Sequence, residues 1–300
     1  MNDAVPIAFN QGGLVALNVL IACMMFGVSL TLRPAAFRDV ARAPRAPLVA
    51  LAIQHLLLPA LASVATWALD LPAPTALGLL LVTACPGGSF SNLLTWLARG
   101  NVPLSVGVTA VSSLAAPLLM PLTFQASAWL NPATRAVVRS IHIPAAGIVW
   151  LVLLVLVLPL LLGMLAGARH PALAARAERP LRTATTLVFL AFVGVAFSHN
   201  LALFRARFDG FFWLVVLANA TALALGYAVA WAAGLAEGDR RAIAIEVGIR
   251  NSGLGLAVLF TFFPAAGAMM LVTAFWGVWH LVSGLALARW WGRRPVTAAG

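Results

Sequence analysis

Nine stretches of roughly twenty apolar residues, joined by short polar connections, dominate this chain, and each is long enough to cross a bilayer as a helix. They cover residues 13–32, 46–69, 74–98, 102–124, 143–166, 181–198, 210–235, 241–263 and 265–291. A chain that is 62% hydrophobic and 9% charged cannot hide that much apolar surface in a soluble domain, so the class is an all-α polytopic membrane protein. The formal charge of +11 comes from nineteen arginines and no lysine. In a soluble protein such a balance would suggest nucleic acid. Here the arginines sit in short joints between apolar runs, where topology and lipid headgroups account for them and a nucleic-acid partner is excluded.

Fourteen arginines fall in one set of alternate joints and the C-terminal tail, around 33–45, 99, 169–182, 240–241 and 289–294. Four fall in the opposite set, at Arg135, Arg139, Arg205 and Arg207. The positive-inside rule then puts the C-terminus in the cytoplasm and, with nine spans, the N-terminus outside, in a plasma membrane. The opening MNDAVPIAFNQGG has Asp3 and no arginine, unlike a signal peptide's positive n-region. Cys23 and Cys85 lie far apart in apolar runs and suggest neither a disulfide framework nor a metal site.

Two of the apolar stretches are interrupted. The eighth carries EVGIRNSGLG (246–255), which places Glu246, Arg250, Asn251 and Ser252 at bilayer depth. Each charge there costs about 2.5–3.5 kcal/mol on insertion scales, so such residues rarely lack a task. The third carries CPGGSFSN (85–92), where Pro86 removes a backbone donor and two glycines follow. A kinked helix with a small-residue packing face is the plain alternative for one such run. Two of them, each second from the end of its half and of opposite direction, read as the inverted repeats of a secondary transporter, here of four and five helices. In the segments that follow, Ser105, Thr109 and Ser112 form one polar stripe, and Thr273, Trp276, His280 and Ser283 form another. Hydroxyls, amides, carbonyls and a carboxylate are the donors that a hard cation such as sodium takes.

At these residues the chain resembles the bile acid:sodium symporter family. The likeness rests on CPGGSFSNLLTWLARGN, LSVGVTAVSSLAAPLLMP, EVGIRNSGLGLAVL and FWGVWH, together with FGVSLTLR and the run from Gln54 to Pro59. It implies one transporter domain over 13–291, with a core of 46–124 and 210–291 rocking against a panel of 13–32 and 143–198. A nine-span member lacks the further helix that precedes the first in many bacterial members. The resemblance also implies a first sodium site at Ser91, Asn92, Ser105, Thr109 and Glu246. A second site would use Gln54, Glu246, carbonyls at Val247 and Ile249, and a glutamine that is Arg250 here. Ser89, Asn251 and His280 match polar positions of the substrate crevice, whereas Leu281 departs from the polar residue usual there.

Arg250 is the departure with consequences. A guanidinium donates hydrogen bonds and accepts none, so it cannot ligate sodium. It could be a tethered cation paired with Glu246 that permanently fills the second site and leaves one sodium per cycle. It could clamp a carboxylate or sulfate of the substrate, or form a static pair with Glu246. The tethered cation leads these readings. The function expected is sodium-coupled import of an organic anion, bile-acid-like or a smaller carboxylate or sulfonate, with sodium as coupling ion and no cofactor. A sodium-independent exchanger or uniporter of the same fold is the alternative. An intramembrane serine enzyme built on Ser89 or Ser91 with His280 lacks an orienting carboxylate.

Overall fold

The structure, a computed structural model, describes residues 11–294 apart from Ser89, 141–144, Asn200 and Ala265. All regular structure among the described residues is helical. In chain order the helices are α1 (Gln11–Ser29), α2 (Pro34–Arg42), α3 (Arg45–Ala68), α4 (Ala73–Ala84), α5 (Phe90–Leu97), α6 (Val102–Leu130) and α7 (Pro132–Ser140). They continue as α8 (Ala145–Arg169), α9 (Pro171–His199), α10 (Leu201–Ala232), α11 (Glu237–Gly248), α12 (Ser252–Phe262) and α13 (Gly267–Gly292).

Among the described residues six helices, α1, α3, α6, α8, α10 and α13, are long and apolar enough to cross a membrane. The third and eighth apolar stretches are each divided into two short helices, α4 with α5 and α11 with α12. The sixth lies within α9. Leu56, Leu118, Trp150 and Leu217 point outward, while Gln54, Ser105, Thr109, Glu246 and Arg250 are buried. That distribution inverts the soluble pattern, and with the apolar helices it marks an integral membrane protein.

The arginine-bearing joints around 33–45 and 131–140 are more ordered than short loops. Each folds into a helix, α2 and α7, with proline at its first position, where the missing N–H costs nothing. α6 runs through Pro117 and Pro121 to Leu130, beyond the boundary expected at 124; prolines are tolerated inside membrane-spanning helices, where neighbouring helices, hydroxyl side chains or local backbone adjustment can satisfy the carbonyls they free.

Several helix pairs pack closely. α1 packs on α8 and α9; α4 packs on α13, and α10 on α11. Small residues set the close contacts: a Cβ at Gly78 would stand 2.8 Å from Met269 Cα, and one at Gly226 2.8 Å from Ala244 Cα. α3 and α8 each contain one π turn, Ile53–Leu57 and Leu153–Val157, with Pro59 and Pro159 two residues after it.

Candidate functional site

The two interrupted stretches meet inside the bundle. α4 stops at Ala84, where Cys85 turns extended (φ −60°, ψ 150°) ahead of Pro86, and α11 stops at Gly248, where Ile249 does the same (φ −95°, ψ 99°). Gly88 N–H donates to Ile249 O at 2.7 Å and Asn251 N–H to Pro86 O at 2.9 Å, pairing Gly87 with Arg250 in an antiparallel bridge. Backbone groups freed by one break are thus satisfied by the other, which is what permits irregular chain at this depth. Gly87 admits no side chain: a Cβ there would collide with Glu246 Oε1 and stand 3.1 Å from Gln54 Nε2.

Glu246, on the last turn of α11, is 1% exposed. Thr109 Oγ1 lies 2.8 Å from its Oε1 and Ser105 Oγ 3.1 Å from its Oε2. The same two hydroxyls lie 3.3 and 2.9 Å from Asn92 Oδ1. Ser91 Oγ is 3.3 Å from Thr109 Oγ1, and Gln54 Nε2 donates to Glu246 O at 3.1 Å. The five residues of the expected first sodium site are therefore in mutual contact.

Acceptors outnumber protons in this cluster. Ser105 has one O–H for Asn92 Oδ1 and Glu246 Oε2, and Thr109 has one for Asn92 Oδ1, Glu246 Oε1 and its own helix's Ser105 O at 2.9 Å. An oxygen-rich set short of donors suits a hard cation.

Arg250 occupies different surroundings. Its Nη2 donates to Gln54 O at 2.9 Å and to Thr83 O. Both carbonyls are free for a local reason. In the π turn Leu58 N–H bonds Ile53 O, and Pro59, the next donor in that register, has no N–H to give Gln54 O. Thr83 sits in the last turn of α4, where carbonyls lose their helical partners and the dipole is negative. Arg250 Nε and Nη1, and Gln54 Oε1, are buried without a partner among the described residues.

The expected contact between Arg250 and Glu246 does not form. The ion pairs among the described residues are Arg182–Glu178, Arg240–Glu237 and Arg241–Glu237. Four-residue spacing brings side chains together only on continuous helix, and the helix ends between these two.

Other expectations divide. Ser112, third in the stripe, meets His55 Nε2 at 3.0 Å instead of Glu246. Thr273 Oγ1 donates to Met269 O, an ordinary backbone contact. Asn251 Oδ1 accepts Leu254 N–H at 3.1 Å and so caps α12. The Ile249 carbonyl serves the bridge, and Val247 is fully buried. Ser89 lies outside the described residues. Asn219, absent from the sequence reading, donates to Gly248 O at 2.9 Å and accepts from Ser283 Oγ at 2.5 Å, holding the end of α11. Its signal was a lone amide in an apolar run, VVLANATALAL.

Two cavities reach this centre. One of about 420 Å³ is lined by Ser29, Thr31, Asn92, Trp96, Thr109 and Arg182, among others. The other, of about 30 Å³, is lined by Gly88, Arg250, Asn251, Gly277 and His280 with parts of α1 and α9. His280 is buried, and its Nδ1 has no partner among the described residues.

Residues 18–207 match the Sodium Bile acid symporter family. Over 280 residues the chain is 31% identical to an uncharacterized sodium-dependent transporter, YocS, of Bacillus subtilis, covering 93% of this chain and 83% of that protein. It is 31% identical over 287 residues to a probable chloroplastic sodium/metabolite cotransporter, BASS2, of Oryza sativa, covering 94% and 65%. It is 27% identical over 255 residues to the sodium/bile acid cotransporter 5 of Rattus norvegicus, covering 85% and 57%. With the interrupted helices, the acceptor-rich cluster and these matches together, the chain belongs to the sodium bile acid symporter family, a family of transporters rather than enzymes.

Proposed function

We propose that this chain is a secondary active transporter that imports a small organic anion with sodium by alternating access. Sodium binds among Ser91, Asn92, Ser105, Thr109 and Glu246, and the Arg250 guanidinium stands permanently where a second sodium would bind. One observation carries the stoichiometry: Arg250 holds the Gln54 and Thr83 carbonyls, which a π turn and a helix end leave free beside Glu246. Carbonyls of this kind are what transporters of broken-helix design offer to a cation. The sodium-dependent and sodium/metabolite relatives support the coupling ion.

Nine spans in repeats of four and five fit the division of the third and eighth stretches. The packing of α1 on α8 and α9, apart from the α4–α13 and α10–α11 contacts, supports a panel of 13–32 and 143–198 against a core of 46–124 and 210–291. The 420 Å³ cavity opens between these groups at the end where the arginine-rich joints lie. With the N-terminus outside and the C-terminus in the cytoplasm of a plasma membrane, that is the inward-facing state. Arg179 and Arg182 against a single Glu178 leave the mouth positive, which favours a carboxylate or sulfonate substrate. Asn251 and His280, along the narrow 30 Å³ pocket, are the substrate contacts of the closed half of the path.

Uptake of labelled carboxylates and sulfonates into proteoliposomes, with and without a sodium gradient, tests this reading. Gradient-dependent uptake with a sodium Hill coefficient near one is expected. A coefficient near two would remove the permanent-cation role of Arg250. Uptake indifferent to sodium would favour an exchanger or uniporter, which Arg250's hold on these carbonyls also accommodates.

A further inference from the structure

Away from the ion cluster, a cavity of about 790 Å³ opens where α10, α11 and α13 come together, and transport chemistry leaves it without a role. Its two ends differ in character. One is lined by Ala220, Ala224 and Leu287, small or apolar residues on the adjoining faces of α10 and α13. The other is lined by Tyr227, Trp290, Arg240 and Arg294. α10 ends at Ala232 and α13 at Gly292, so the polar end lies at the level where both helices finish. Trp231 and Trp290, both exposed, mark the same level, as aromatic residues do at a membrane–water interface.

The cationic end is held in shape. Arg294 lies over the Trp290 ring, its guanidinium carbon 3.9 Å from the ring centre. Arg240 Nε donates to Leu235 O at 2.5 Å, and its Nη1 is 3.8 Å from Glu237 Oε2. Tyr227 O–H donates to Glu237 at 2.8 Å and the ring stacks on Trp291. Arg241, 3% exposed, donates to Glu237, Ala98 O, Trp291 O and Arg294 O, which commits it to joining α5, α11 and α13. Glu237 is the one carboxylate against three arginines, so the rim is net positive with Arg240 and Arg294 available to a ligand.

We propose that this cavity binds an anionic phospholipid, with the phosphate between Arg240 and Arg294 and an acyl chain along Ala220, Ala224 and Leu287. A free phosphate would use only the cationic end, and a zwitterionic lipid would set its own cation against it. An apolar groove that leads from bilayer depth to a basic rim matches a lipid that carries both parts. Because Arg241 ties this rim to α11, the helix that bears Glu246, occupancy braces the core without touching substrate.

The test is native mass spectrometry of the full chain from detergent containing phosphatidylglycerol, phosphatidylcholine or inorganic phosphate. Phosphatidylglycerol should stay bound, phosphatidylcholine much less, and phosphate neither bind nor displace the lipid. Each arginine removed should weaken retention about fivefold, so R240Q/R294Q together should lower it about 25-fold. Leu287→Trp, which fills the apolar end and leaves every charge in place, should also expel the lipid. Arg289→Gln, on the same helix but outside the cavity, should not. Equal retention of phosphatidylcholine, displacement by phosphate alone, or undiminished phosphatidylglycerol on the Leu287→Trp chain would each overturn the assignment. Should the double variant fail to fold, the Leu287→Trp and Arg289→Gln arms still decide.

Discussion

Glu246 and Arg250 are four residues apart on one segment, both 1% exposed, and their surroundings are opposite in kind. The carboxylate faces side-chain hydroxyls that can turn, and these hydroxyls have more acceptors than protons to serve. The guanidinium faces backbone carbonyls that cannot turn, and two of its nitrogens find no partner among the described residues. One charge therefore sits in a set that can exchange its contacts for an ion's, and the other in a set built around a cation that never leaves. Gly87, against which Glu246 Oε1 packs, is paired with Arg250 in the backbone bridge. A buried charge pair in direct contact would contribute little net stability after desolvation, so each side must be read by the ligands it gathers rather than as half of an ion pair.

The largest break in that comparison should come from Glu246→Gln. The amide keeps the shape and loses the charge, while Arg250 and its carbonyls are untouched. Charge-assisted contacts are worth up to about 3 kcal/mol each, so sodium-driven uptake should fall by about a hundredfold. Uptake into proteoliposomes measures this, and near-normal sodium dependence would show that the carboxylate is not a ligand. Gly87→Ala comes next. Its new Cβ collides with Glu246 Oε1, and overpacking costs about 1–3 kcal/mol, so sodium affinity should drop about tenfold. A sodium-dependent shift in melting temperature reads it; an unchanged shift would mean the carboxylate moves aside freely and its position is not critical.

A smaller effect separates two members of the same stripe. Thr109→Val removes the hydroxyl 2.8 Å from Glu246 Oε1 and should weaken sodium about fivefold, the scale of one hydrogen bond of about 1 kcal/mol. Ser112→Ala removes a contact to His55 and should leave sodium affinity where it was. Sodium titration of uptake for the pair checks this, and equal losses would mean that the whole stripe, rather than its Glu246 end, holds the ion.

How much of this was legible in the residues follows from what each feature depends on. The two breaks were legible because Pro86, Gly87 and Gly88, and the charged and polar run from Glu246 to Ser252, disrupt a helix through local chemistry alone. The Glu246 cluster was legible through side-chain type, helped by a family likeness. The partners of Arg250 were not, because they are backbone oxygens. Gln54 O is free only because the helix slips into a π turn and Pro59 then falls at the donor position, and Thr83 O only because α4 ends a residue later. Contact between Glu246 and Arg250 was expected from four-residue spacing, which holds on a helix and fails once Ile249 turns extended. Asn219 went unnoticed since a lone amide in an apolar run carries no spacing, and its purpose appears only when the Gly248 carbonyl is beside it. The amphipathic helices α2 and α7 leave no mark in the hydropathy pattern, because nine residues with two arginines lack an apolar run long enough to register.

The sharpest test leaves stability nearly unchanged and alters only a slope. Arg250→Gln removes the fixed cation from Gln54 O and Thr83 O, so two carbonyls are freed, while the unpartnered Nε and Nη1 donors disappear with it. Losing two hydrogen bonds and two buried unsatisfied donors together should shift folding stability by only about 1 kcal/mol. The freed carbonyls, the glutamine's own oxygen and the buried Gln54 Oε1 then form a second acceptor set beside Glu246. The sodium Hill coefficient for uptake should rise from near one toward two, with substrate affinity preserved. If it stays near one while uptake is intact, those carbonyls are no ion site and Arg250 is structural. If uptake collapses with sodium dependence unchanged, the guanidinium serves the substrate in another conformational state, and the contrast with Glu246 becomes one between an ion ligand and an anion clamp.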